Sequence, residues 1–167
     1  MGIPKLNFLL IDDDEVFNYL NKKSVTKSEH SKDVEIFLSA ANALEYLHEL
    51  IKSKKEFPDI ILLDISMPVM NGFDFLEAFE KLPAKFKTKT SIYMLSSSMN
   101  DEDVKSAGNF TSVIGYLCKP LNLKKVDEIC NEVLSLKKTK KKNINTKENS
   151  NEIYTIPMER KTGLANL

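Results

Sequence analysis

Cysteine is scarce in this chain: only Cys118 and Cys130 occur in 167 residues. Two are too few for a disulfide framework and they lack metal-ligand spacing, which excludes a disulfide-stapled secreted scaffold. Long hydrophobic runs are missing as well. The apolar run Phe8–Ile11 is cut off by Asp12, Asp13 and Asp14, and no window approaches the ~20 apolar residues that a membrane span needs. No signal-peptide pattern precedes that acidic cluster. Secreted, membrane and fibrous classes fall away, and a reduced cytoplasmic protein is expected. Internal repeats are also absent, and no helix-turn-helix pattern fits the residues from Asn143 onward.

Net charge is absent only in sum, with 24 basic and 24 acidic residues. Residues 135–167 carry eight Lys/Arg and three Asp/Glu, so the rest of the chain holds 16 basic and 21 acidic residues. An acidic body is followed by a basic end containing Lys137, Lys138, Lys140, Lys141 and Lys142. Such a run can attract nucleic acid or an acidic partner, but a solvated helix end passing into a polar tail is the simpler expectation. The composition, 42% hydrophobic and 29% charged, is that of a chain able to bury a core.

What the chain does contain is alternation between short apolar runs and longer amphipathic stretches, the pattern of β/α units around a parallel sheet. Strands are predicted over Lys5–Ile11, Val34–Leu38, Asp59–Ile65, Ser91–Ser96 and Val113–Cys118. The unbroken run Ile60, Ile61, Leu62, Leu63 suits a central strand covered on both faces. Five helices are predicted between and after the strands. Val16, Leu20 and Val25 mark the first. Leu44, Leu47, Leu50 and Ile51 mark the second, after a Ser39 cap. Phe75, Leu76 and Phe79 form a third that ends before Pro83, a weakly apolar fourth covers 101–107, and Val126, Ile129, Val133 and Leu136 mark a long last helix. Alternation with right-handed crossovers gives an α/β, doubly wound, five-stranded sheet with helices on both faces. That unit occupies residues 1–137. Residues 138–167, with scattered Ile153, Tyr154 and Ile156, are expected to form a basic, polar tail without a core.

In such a sheet, ligands bind beyond the carboxyl ends of the strands. Those ends read Asp12-Asp13-Asp14, Asp64, Ser96-Ser97 and Lys119-Pro120. Crowded carboxylates cannot all ionise cheaply without a cation, and an oxygen-rich cluster of this kind suits Mg²⁺ and a phosphate group. Any single aspartate there could simply cap the following helix; agreement of all four strand ends points to a site.

These stretches, in their order and spacing, resemble the receiver domain of two-component response regulators, over residues 5–137. The matching segments are Leu9–Glu15, Pro58–Gly72, Tyr93–Ser97 and Gly115–Pro120. The resemblance implies a flavodoxin-like sheet of strand order 2-1-3-4-5 and a stand-alone receiver of the chemotaxis type. By the same resemblance, Asp64 is the phospho-acceptor and takes its phosphoryl group from a sensor histidine kinase or phosphotransfer protein. Asp12, Asp13, Asp64 and the backbone carbonyl of Ser66 would hold Mg²⁺. Ser96 and Lys119 would contact phosphoryl oxygens, and the family often has a cis peptide before the equivalent of Pro120. Tyr116 matches an aromatic switch that turns inward as Ser96 moves, altering the face made by the helix at 101–107, the strand at 113–118 and the last helix. Partners dock on that face in the family, and a homodimer through it stays open. The protein would catalyse only its own phosphorylation and dephosphorylation. Asp14 is not expected to bind metal, since a third acid in the family points into solvent or starts the helix, and Gly72 is expected to give the loop after the acceptor strand its backbone freedom. Met67 and Met70 read equally as loop packing or as functional residues, with Met67-Pro68 shaping the loop beside Asp64. His30 and His48 read as solvated helix residues, and Cys118 as a small buried hydrophobe.

Three other readings bear comparison. Asp12-Asp13-Asp14-Glu15-Val16 also fits the motif of haloacid-dehalogenase-type phosphatases, with Asp12 as nucleophile and Asp14 as acid/base. That reading lacks a later acidic pair in a loop and leaves 64–72 unexplained. A receiver stripped of its chemistry is at odds with the retention of every chemical position. A DNA-binding regulator lacks a tail long enough for its own fold.

Overall fold

The computed structural model describes residues 2–147, with side chains up to residue 140. Five strands, β1 (Leu6–Ile11), β2 (Ser31–Phe37), β3 (Ile60–Asp64), β4 (Ser91–Ser96) and β5 (Val113–Cys118), form one parallel sheet in the order β2-β1-β3-β4-β5. The helices are α1 (Glu15–Lys27), α2 (Ala40–Ser53), α3 (Gly72–Glu80), α4 (Ala84–Lys87), α5 (Asp101–Ala107) and α6 (Leu123–Lys147). The expected α/β architecture and strand order are those observed.

Period-two alternation in the central strands divides the core. Leu9, Ile11, Ile61, Leu63, Ile92 and Met94 face one way, against Leu44, Leu47 and Leu50 of α2 and Phe75, Leu76 and Phe79 of α3. Their neighbours Phe8, Leu10, Ile60, Leu62, Tyr93 and Leu95 face the other way, against Val25 of α1 and Val126, Ile129, Cys130 and Val133 of α6. A strand buried on both sides cannot alternate polar and apolar residues, which is why Ile60–Leu63 is uninterrupted.

Four differences from the sequence reading have local causes. β2 begins at Ser31 rather than Val34, because its backbone pairs with Leu6 while its polar side chains stay at an open sheet edge. A sixth helix, α4, follows Pro83, whose carbonyl accepts from Phe86 N at 2.9 Å, and Phe86 packs back on the core. The α1 stripe is not Val16, Leu20 and Val25: Val16 is 65% exposed, and the buried residues are Asn18, Asn21 and Val25. Finally, α6 continues through residue 137 to Lys147. There the Lys137 ammonium pairs with Asp59, and Lys140 Nζ donates to the Thr88 carbonyl at 2.9 Å. The remainder of the expected tail, including Ile153, Tyr154 and Ile156, lies outside the described residues. Among those described, no helix is long and apolar enough to cross a membrane.

Candidate functional site: an acidic cup at the carboxyl rim

β1 and β3 are neighbours, so their carboxyl ends place Asp12 and Asp64 side by side. Carboxylate oxygens of Asp12, Asp13 and Asp64 all lie within 4.8 Å of one another. Asp12 and Asp64 are buried and Asp13 is exposed. The loop after β5 brings Lys119 to the same point. Its Nζ lies 2.8 Å from Asp12 Oδ2 and 3.1 Å from Asp64 Oδ1, after backbone pairing of Lys119 N with the Ser96 carbonyl at 2.9 Å. The Lys119-Pro120 peptide is cis.

Burial pushes the Asp12 carboxyl above its ordinary range, opposed by the hydrogen bonds from Lys119 and from the Asp14 backbone. Burial alone would lower Lys119; hydrogen bonds to Asp12 and Asp64 outweigh it and hold the ammonium above its usual value. One buried cation thus faces two buried carboxylates with a third at the mouth. The donor set is all hard oxygen, clustered and in excess of the neighbouring positive charge, and this fits Mg²⁺.

Around the cup, several side chains have a visible support. Asp14 is the N-cap of α1, accepting from Val16 N at 2.8 Å and Phe17 N at 3.3 Å. A carboxylate committed to two amides is poorly placed for acid/base work, so the phosphatase reading finds no support. Asn18 Nδ2 donates to the Asp12 carbonyl at 2.6 Å, and Asn21 Oδ1 accepts from Leu121 N at 2.9 Å. Ser24 Oγ donates to the Leu121 carbonyl at 2.7 Å. These buried asparagines tie α1 to the backbone of Asp12 and Leu121, and sequence reading missed them. The available signal was a helix too poor in apolar residues to bury a stripe without polar ones. Phe17 was missed too: its ring centroid is 4.3 Å from Lys119 Nζ.

Gly72 has no positive φ, so the expected reason for it was wrong. The reason is proximity: a Cβ there would meet the Asp64 carbonyl oxygen at 2.6 Å and Ile65 Cα at 3.0 Å. In the same loop, exposed Val69 sits at φ 68°, a strained conformation for a β-branched residue. Ser66 lies exposed in that loop, Met67 is buried in the core and Met70 packs against it.

Ser96 ends β4, and its Oγ accepts from Ser98 N at 3.2 Å. Tyr116 of β5 is already inward, 5% exposed, with its hydroxyl buried and lacking a well-formed hydrogen bond. Burial pushes its phenol up, a rise that the nearby Ser96 hydroxyl opposes and Asp103 reinforces. Cys118 corrects an expectation. It closes an edge strand and is exposed, whereas Cys130 on α6 is buried, its thiol pushed up to about 11 by burial despite the Ser28 hydroxyl. His48 is exposed; His30 is half-buried, with Nδ1 3.0 Å from the Pro4 carbonyl.

A five-stranded parallel sheet of this order, with three carboxylates and one lysine at its carboxyl rim, defines a receiver-type signalling module. The family model for the response regulator receiver domain matches residues 8–131, and the chain belongs to that family. It is similar to the crystal structure of a two-component response regulator from Cytophaga hutchinsonii, at 31% identity and TM-score 0.73, covering 78% of this chain and 98% of that one. A two-component response regulator from Legionella pneumophila gives 30% identity and TM-score 0.66, covering 78% and 99%. Among curated relatives, the transcriptional regulatory protein DcuR of Escherichia coli is 28% identical over 74% of this chain. A protein-glutamate methylesterase/protein-glutamine glutaminase of Burkholderia thailandensis is 39% identical over 46%. The matched region spans 48% and 20% of those two proteins.

Proposed function

We propose that the chain accepts a phosphoryl group on Asp64 from a phosphohistidine of a sensor histidine kinase or phosphotransfer protein. The observation that supports this most is the Lys119 ammonium bridging Asp12 and Asp64 beside Asp13. An Asp64 carboxylate oxygen forms a bond to phosphorus as the bond from phosphorus to the donor imidazole nitrogen breaks. The electron pair of the broken bond stays on that nitrogen. Lys119 then exchanges Asp64 for a phosphoryl oxygen, and the Ser96 hydroxyl donates to another. Mg²⁺ would be held by Asp12, Asp13, Asp64 and the Ser66 carbonyl; when bound, it supplies positive charge against the phosphoryl oxygens.

The acyl phosphate adds up to two negative charges and three acceptor oxygens at the rim. Ser96 moving toward them leaves the space beside Tyr116. Because that ring is already inside, the switch is a change in how firmly the inward arrangement is held, a population shift rather than a swing from solvent. Its readout is the face formed by α5, β5 and α6, where a downstream protein or a second copy of this chain docks. The output is a protein–protein contact without nucleic acid or membrane, in the cytoplasm. The functional unit is residues 1–137, and residues 138–167 lie outside it.

Incubation with Mg²⁺ and acetyl phosphate, followed by intact mass and peptide mapping, tests the reading. The expected product carries one phosphoryl group, on the peptide containing Asp64, and is absent from Asp64→Asn. A group mapped to Asp12, or none at all, overturns it.

A further inference from the structure

Lys119 Nζ is held on two sides by carboxylates, at 2.8 Å from Asp12 and 3.1 Å from Asp64. A further side is covered by the half-buried Phe17 ring, its centroid 4.3 Å from the ammonium. A ring face attracts a cation through its quadrupole and offers no oxygen to compete for the ammonium protons. We propose that Phe17 is a positioning residue: its ring holds the Lys119 ammonium over the cup while leaving that ammonium free to trade one carboxylate for a phosphoryl oxygen. A third carboxylate in this place would bind the lysine too firmly to be released. An aliphatic side chain would fill the space without attracting the charge.

The ring is aimed by its helix. Asp14 caps α1 through the amides of Val16 and Phe17, which fixes the first turn against the cup. One residue further on, Asn18 ties α1 to the Asp12 carbonyl, and one turn later Asn21 and Ser24 grip both backbone groups of Leu121, two residues past Lys119. The helix carrying the ring and the loop carrying the lysine are therefore one unit. The separation from Phe17 to Lys119 does not depend on the flexible lysine stem alone.

This inference rests on the proposed phosphoryl acceptance, and one arm of its test is independent of that reading. In ¹H–¹⁵N and ¹H–¹³C spectra of the full chain, the Lys119 ε-methylene and ammonium resonances should be shifted upfield by the ring current. Phe17→Leu should return them toward ordinary lysine positions, while Phe17→Trp keeps the shift. In the second arm, the rate of labelling by acetyl phosphate with Mg²⁺ should fall about threefold to tenfold in Phe17→Leu and be kept in Phe17→Trp, with melting temperatures of both near that of the parent. Lys119 resonances indifferent to Phe17→Leu overturn the proposal. So do equal losses of rate in the leucine and tryptophan variants, which mark a packing role. If the parent protein itself takes no label, the functional reading fails and the spectra still decide whether the ring holds the lysine.

Discussion

The two faces of the sheet are built differently. The face under α2, α3 and α5 is an apolar pack in which Leu47, Phe75, Leu76 and Phe79 are fully buried. The face under α1 and α6 mixes its core with polar ties: Asn18 to Asp12, Asn21 and Ser24 to Leu121, Ser28 Oγ to Asp127 at 2.6 Å, and Tyr93 Oη to Glu132 at 2.8 Å. Apolar contacts are non-directional and set how stable a fold is. Hydrogen bonds add little net stability but fix position. On this comparison, one face supplies stability and the other supplies aim, and the rim residues hang mainly from the second.

The comparison can be broken most directly at Phe79, which is fully buried and stacks on Phe75 with centroids 6.0 Å apart. Phe79→Ala should cost about 3–5 kcal/mol in urea unfolding, while the molecules that remain folded label at the parental rate. A matching loss of labelling rate would erase the division between faces. Next in size is the rim itself. Mg²⁺ at about 100 times its Kd should stabilise the parent by about 2.7 kcal/mol, read as a rise in melting temperature that a chelator reverses. Asp13→Asn, at the exposed mouth, should abolish most of that rise; an undiminished rise would place the metal elsewhere.

On the polar face, Asn21→Ala leaves the Leu121 amide buried without its acceptor, at a cost of about 1–3 kcal/mol. Its labelling rate should drop by more than its stability loss accounts for, because the loop carrying Lys119 loses its tie. Parental labelling in this variant would show that α1 does not aim the lysine. The smallest effect concerns a polar tie on the apolar side. Glu80 accepts from Ser112 N and Oγ and pairs with Lys87 at 3.1 Å. Burial would raise its carboxyl, but the Ser112 and Lys87 hydrogen bonds hold it below the ordinary range. Its folded value is thus below its unfolded one, so its contribution is complete above the ordinary carboxylate range and is lost as pH falls through the depressed native value. Glu80→Gln should lower the melting temperature slightly at neutral pH and narrow the gap to the parent in acid, with labelling unchanged. A gap that widens in acid would contradict the assignment.

The same division explains what could be read from the sequence. β3, β4, β5 and α2 were legible because their burial is apolar and periodic, and the residues that meet at the rim were legible because strand ends converge by topology. Asn18, Asn21 and Phe17 were not. A buried asparagine looks like a surface residue until its partner, 100 positions away in the case of Leu121, is brought beside it. Gly72 was noticed for the wrong reason, since only the fold shows the Asp64 carbonyl lying where a Cβ would go. The start of β2 was hidden because an edge strand keeps polar side chains while its backbone pairs.

The most direct measurement is a crystal structure of the full chain with Mg²⁺ and beryllofluoride. The account predicts the beryllium bonded to an Asp64 oxygen, with Lys119 Nζ turned from that carboxylate to a fluorine. Beryllofluoride on Asp12, or a Lys119 still paired with Asp64 and touching no fluorine, would contradict it.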